Sequence, residues 1–172
     1  MKKPDSLRAK LMEIFPELTR DPHRLRMWIE KGAVKCRAAD PAQGENLSYR
    51  LDYTLTVVIE EWTRPSLLIW IVLLDWLRIH EPALLTAANG RGLEFEADLI
   101  SNAKADISLD LPLSEAVIAT RRADGGFDMQ VKEEPDPLMP DTMPIVAGGE
   151  RLKAIWLDGT QLVPDPLAAE RA

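Results

Sequence analysis

Between Gly92 and Glu115 the chain reads GLEFEADLISNAKADISLDLPLSE, and apolar and polar residues alternate along it with almost no break. Leu93, Phe95, Ala97 and Leu99 interleave with Glu94, Glu96 and Asp98. After a polar turn at Ser101 to Lys104, Ile107, Leu109, Leu111 and Leu113 interleave with Asp106, Ser108 and Asp110. A period of two sends successive side chains to opposite faces, so a half-buried β-hairpin is expected. One face is apolar and the other acidic. Carboxylates opposite or diagonal to one another weaken a ladder unless something positive meets them, so the pattern calls for a basic partner or for water.

The other segments supply a frame for this hairpin. Pro4 and Asp5 suit the first turn of a helix that carries Leu7, Leu11, Ile14 and Phe15 on one stripe and ends at Pro16. Asp21 and Pro22 read as the start of a second helix ending near Gly32. Ala33 to Ala39 reads as a short strand with Val34, Cys36 and Ala38 inward and Lys35 and Arg37 outward. Ser48 to Trp62 is the strongest strand, with Tyr49, Leu51, Tyr53, Leu55, Val57 and Ile59 on one face. The run LLIWIVLLDWLRIH after Arg64 and Pro65 is apolar on almost every side and reads as a central helix, ending at Glu81 and Pro82. Ala116 to Arg122 and Phe127 to Lys132 form a further hairpin around Asp124, Gly125 and Gly126. These elements define an α+β class: one domain over residues 1–132, a mostly antiparallel sheet of about five strands on two to three helices. A Pro-rich acidic linker follows over 133–149, and a C-terminal hairpin with its end over 150–172. Ile155, Trp156 and Leu157 flank the hairpin turn at Asp158 and Gly159. An isolated hairpin is marginal in water, so this one needs a surface, expected on a neighbouring subunit or partner, the alternative being its own domain.

Charge is unevenly distributed within the net −7. Residues 1–39 hold ten Lys and Arg against five acids, 40–132 eight against fifteen, and 133–172 three against eight. An acidic whole argues against nucleic acid as the main ligand, because phosphate binding needs a dominant basic footprint. The single cysteine, Cys36, rules out an internal disulfide and reads as a small buried residue. The start MKKPDSLRAKLMEIF has no signal-peptide pattern, and the run at Leu67 to Leu77 falls short of the roughly 20 apolar residues that span a bilayer.

Catalytic constellations are not evident. His23 and His80 fall at opposite ends of different expected helices, and no Gly-x-Ser-x-Gly elbow or phosphate loop is present. No cofactor or metal is expected. The acids of the hairpin are spread along two strands instead of converging, as in a solvated face or a protein interface; a metal or catalytic site is the third reading. The tryptophans read mainly as core, with Trp62 and Trp156 as exposed anchors.

Taken in order, KPDSLRAKL, PHRLRMWIEKG, YRLDYTLTVVIEEW, LLDWLRIHEPALL, GLEFEADLISN, ADISLDLPLSE and, more weakly, IWLDGTQLV resemble segments of the tail completion protein R family of contractile-tailed bacteriophages. The resemblance covers about residues 3–132 and the final hairpin. It implies a non-enzymatic protein of the virion tail, assembled in the host cytoplasm, that caps the head-proximal end, stops tail polymerisation and presents the surface for the head. The implied partners are its own copies in a six-membered ring, tail tube and sheath proteins, and head connector proteins. The same machinery occurs in headless contractile bacteriocins. The proline-rich linker and the ending DPLAAERA depart from the family pattern.

A ring subunit needs two different surfaces that complement each other. The expected pair is the acidic face of Glu94, Glu96, Asp98, Asp106 and Asp110 against basic helices carrying Arg8, Lys10, Arg24 and Lys31, with Lys35, Arg37 and Arg50 of the same sheet and water as the other sources of relief. Ile155, Trp156 and Leu157 are the second expected interface. An alternative function is a monomeric adaptor or assembly chaperone that binds a tail protein through the C-terminal hairpin; a carboxylate-dependent metal enzyme is a third.

Overall fold

The computed structural model describes residues 1–36, 47–85, 92–101, 104–133, 155–157 and 160–163. Helix α1 (Lys2–Ile14) and the one-turn α2 (Pro16–Arg20) lead through a 3-10 turn at Pro22–Arg24 into strand β1 (Leu25–Cys36). Strand β2 (Tyr49–Trp62), helix α3 (Leu67–His80), a 3-10 turn at Pro82–Leu85 and strands β3 (Phe95–Ser101), β4 (Lys104–Arg121) and β5 (Phe127–Val131) follow. Strands β6 (Ile155–Leu157) and β7 (Thr160–Val163) pair with each other as a separate ladder. The main sheet has the order β1-β2-β4-β3, all antiparallel, with β5 beside the far half of β4. The α+β expectation holds, with five strands in the sheet.

One face of the sheet is covered and the other open. Tyr53, Leu55, Val57 and Ile59 of β2 and Ile107, Leu109, Leu111 and Leu113 of β4 point inward at alternate positions, and α1, α2 and α3 lie on them through Leu7, Leu11, Phe15, Leu18, Val72, Trp76 and Leu77. At roughly 1.5–3 kcal/mol per fully buried aliphatic or aromatic side chain, this cluster holds the domain together. Phe15 packs edge-on against Trp62, with ring centroids 5.0 Å apart.

Several expectations are corrected. The segment 22–32 is a 3-10 turn and the first two thirds of β1 instead of a helix, because Leu25, Met27 and Ile29 alternate inward and the long β2 supplies a complete ladder for their backbone. Gly32 does not end a helix; it lies in β1, where an added Cβ would come 3.2 Å from the Asp52 carbonyl oxygen and from the Tyr53 Cβ. Pro16 ends α1 but opens α2, as suits a residue without an N–H. Residues 116–121 are no separate strand; they continue β4 past the end of β3. Helix α3 is one-sided: Leu68, Ile69, Val72, Leu73, Trp76 and Leu77 are buried while Leu67, Ile71 and Leu74 face outward. Trp62 is buried, and among the described residues Trp28 is the exposed tryptophan. Cys36 and Val34 are exposed because the helices do not reach that end of β1.

Expectations for Arg37 to Ala39, the Asn89-Gly90-Arg91 turn, the linker from 134 to 149, the Asp158-Gly159 turn and the final residues lie outside the described residues, as do the side chains of Trp156 and Leu157.

Candidate interaction surface

The open face of the sheet is graded in charge from one edge to the other. A row across it reads Arg26, Val58, Ser108, Glu96, and the next Trp28, Thr56, Asp110. Lys31 and Lys35 lie further along β1, on the same face as Arg26, because a bulge between Ile29 and Lys31 absorbs Glu30 and keeps the lysines in phase. Edge strand β1 is therefore basic and edge strand β3 acidic.

Glu96, Asp98, Asp106 and Asp110 share this face, with Glu94 just before β3 and outside the ladder, but their surroundings differ. Asp98 stands directly across from Asp106. Asp106 accepts the Glu61 backbone N–H at 2.7 Å, and Asp110 accepts the Thr56 hydroxyl at 2.6 Å. Glu94, Glu96 and Asp98 are exposed and make no ion pair among the described residues. Lys35 and Arg50, expected to relieve the acids, instead both bridge Asp52 at 2.6 Å; with Lys35 contributing most, they hold its carboxyl below the usual range.

The expected basic helices are likewise engaged elsewhere. Arg8 donates to the Leu25 carbonyl at 3.2 Å, and Lys10 pairs with Asp75 at 3.5 Å. Arg24 donates to the carbonyls of Glu60 and Glu61. Those carbonyls belong to a bulge in β2 where Glu61 takes φ 52°, a left-handed conformation that costs roughly 1–2 kcal/mol for a residue with a side chain. Arg24, Asp106 and Lys104, the last through a 2.9 Å pair with the Glu61 carboxylate, pin the bulge together. Arg24 is thus a fastener of the fold, and Lys31, on a strand instead of a helix, is the one residue of the expected basic set on the open face. Ile155 of the terminal ladder packs against the core of its own chain, the alternative to docking on a neighbouring subunit or partner.

A second feature escaped the sequence reading. Glu115, 1 % exposed, receives the backbone N–H groups of Lys2 and Lys3 at 3.1 Å each and the Tyr53 hydroxyl at 2.6 Å, so a carboxylate of β4 caps the start of α1. Burial alone would raise its pKa, but these donors hold it below the usual range. Burial and the Glu115 carboxylate in turn push the Tyr53 hydroxyl far up. Beside it Lys3 pairs with Glu81 at 2.8 Å, and Glu81 accepts the Ser114 N–H at 3.0 Å.

Next to this knot the structure brings together a hydroxyl and a histidine that the sequence kept apart. His23 is on the 3-10 turn, whereas Ser6 Oγ lies 3.3 Å from His80 Nε2 and accepts the Trp76 indole N–H at 3.1 Å. The pair borders a cavity of about 440 Å³ with Lys2, Lys3 and Lys132 on its wall. Burial, and then Lys3, lowers the His80 pKa. Among the described residues no carboxylate is hydrogen-bonded to the imidazole, so the orienting member of a nucleophilic triad is missing. The contact satisfies a core indole. Among the described residues no three His, Cys, Asp or Glu side chains are grouped to hold a metal ion, and no helix is long and apolar enough to cross a membrane.

Residues 1–137, which contain the five-stranded sheet and its helices, match the family model described as P2 phage tail completion protein R (GpR). The chain is 32 % identical over 147 residues to tail completion protein R of Escherichia phage P2, covering 84 % of this chain and 91 % of that protein. No solved structure matches it.

Proposed function

Since the chain belongs to the P2 phage tail completion protein R family, we propose that it caps the head-proximal end of a contractile tail, stops tube polymerisation and offers the surface to which the head attaches. The observation that carries this reading is the extent of the match: it covers the entire five-stranded sheet and its helical layer. The proposed partners are copies of the chain in a ring, the tail tube and sheath, and the head connector, with the virion tail as its location and the bacterial cytoplasm as the place of assembly.

The graded sheet supports a role in assembly. A ring requires one surface to meet a different one on the next copy, and the two edges of this sheet are different in charge and opposite in strand direction. The adaptor alternative draws less support, because Ile155, one of the residues it needs free, is packed on the chain's own core. Electron microscopy of particles made by a phage or prophage lacking this gene tests the function. Tails of irregular length without joined heads are expected. Tails of normal length, joined to heads or, in a headless particle, finished normally, would overturn the proposal.

A further inference from the structure

The two edges of the main sheet fit each other in a single register. Strand β1 runs antiparallel to β2, β2 to β4, and β4 to β3, so β3 runs opposite to β1. A neighbouring copy placed alongside can therefore add its β3 to β1 and continue an antiparallel ladder. On the open face β1 presents Lys31, Ala33 and Lys35, and β3 presents Glu96 and Asp98, with Glu94 at the next alternate position before the strand. On the opposite face β1 presents Gly32 and Val34, the latter 66 % exposed, and β3 presents Phe95 and Ala97, with Phe95 53 % exposed.

From this juxtaposition we infer that β3 of one copy pairs with β1 of the next, with Glu94 opposite Lys35, Phe95 opposite Val34, Glu96 opposite Ala33, Ala97 opposite Gly32 and Asp98 opposite Lys31. The pairing rests on the reading of the chain as a self-assembling tail cap and names the contact that assembles it. Each carboxylate at the ends of the register meets an ammonium, the two exposed apolar side chains cover each other, and Ala97 stands opposite Gly32. Side chains match face for face at every step, which a slip of one residue would reverse. Lys35 can turn to Glu94 without stranding Asp52, which keeps Arg50.

Charge also selects against the wrong pairings. Two β1 edges would bring lysines together, and two β3 edges would bring carboxylates together, so isologous dimers are disfavoured and only the head-to-tail contact remains. Trp70 of α3 packs against Phe95 at a tilt, with centroids 4.4 Å apart, which holds the apolar anchor of the acidic edge before a neighbour arrives.

Cysteine cross-linking tests the register. In a Cys36→Ser background, Val34→Cys and Phe95→Cys on one chain are expected to form an oxidation-dependent ladder of dimers, trimers and higher species at low salt, because facing positions in an antiparallel ladder fall within disulfide reach. Mixing the two single variants is expected to stop at dimers. Val34→Cys with Leu99→Cys, four residues off register and so displaced by about 13 Å, is expected to stay uncross-linked. Light scattering on the same samples separates the two claims. An oligomer without the in-register ladder would overturn this pairing and leave the tail-cap reading standing; absence of both would overturn both. A ladder of equal strength from the off-register pair would also overturn it.

Discussion

Asp98 of β3 lies directly opposite Asp106 of β4, two carboxylates facing across one rung of a ladder. Only one of them is compensated, since Asp106 accepts the Glu61 N–H while Asp98 points to solvent without an ion pair among the described residues. The isolated subunit therefore carries a repulsion that a neighbour's lysine would remove. Asp98→Asn is expected to stabilise the monomer slightly, by about 0.2–1 kcal/mol, while weakening self-association. Denaturant titration and sedimentation on the same variant check both; a loss of stability with association unchanged would contradict this view of the acidic edge.

Glu115 fastens the first helix to the sheet, so its removal is expected to matter more than its surface-like sequence context suggests. Glu115→Gln keeps the shape but loses the charge that receives three donors, with an expected cost of about 1.5–3 kcal/mol. Because the folded pKa is depressed below the ordinary 4.5, this contribution is fully present above pH 4.5 and lost as pH falls through the folded value. Chemical denaturation across acid pH should show a steep loss in the parent protein and a flatter curve for Glu115→Gln. Parallel curves would place the acid sensitivity elsewhere.

Trp76 and Trp70 sit on the same helix and are expected to respond differently. Trp76 is buried and donates to Ser6, so Trp76→Ala should cost on the order of 3–5 kcal/mol. Trp70 is partly exposed and meets Phe95 alone among aromatic partners in the described residues, so Trp70→Ala should cost less, including about 0.5–1.5 kcal/mol for the lost ring pair. Equal destabilisation by the two would mean that the outer side of α3 is covered in solution.

Much of the fold was legible because its signals are local. The alternation in β2, β3 and β4, the amphipathic stripe of α1 and the Asp124-Gly125-Gly126 turn each identify themselves within a few residues. Only the end of β1, Ala33 to Cys36, was legible as a strand: Pro22 and the charged run to Gly32 imitate a capped helix, and only pairing with β2 makes LRMWIE extended. The acidic half of the proposed interface could be read from composition, whereas its basic half could not. Arg8, Lys10 and Arg24 look equivalent to Lys31 in sequence, but tertiary contacts commit them to the fold and leave Lys31 on the open edge. The Glu115 cap joins residues more than a hundred positions apart, which no local pattern reveals.

The central claim is that oppositely charged sheet edges drive head-to-tail assembly, and a charge-swap mixing experiment tests it most directly. One variant carries Lys31→Glu and Lys35→Glu, so both of its edges are acidic; the other carries Glu94→Lys and Asp98→Lys, so both are basic. Each alone is expected to remain monomeric by sedimentation velocity, and an equimolar mixture to assemble with alternating copies, more strongly at low salt than at high. Exposed pairs are worth only about 0–1 kcal/mol each, so both variants should stay folded. Assembly of either variant alone to the extent of the parent protein, or failure of the mixture to assemble under conditions where the parent does, would contradict the account.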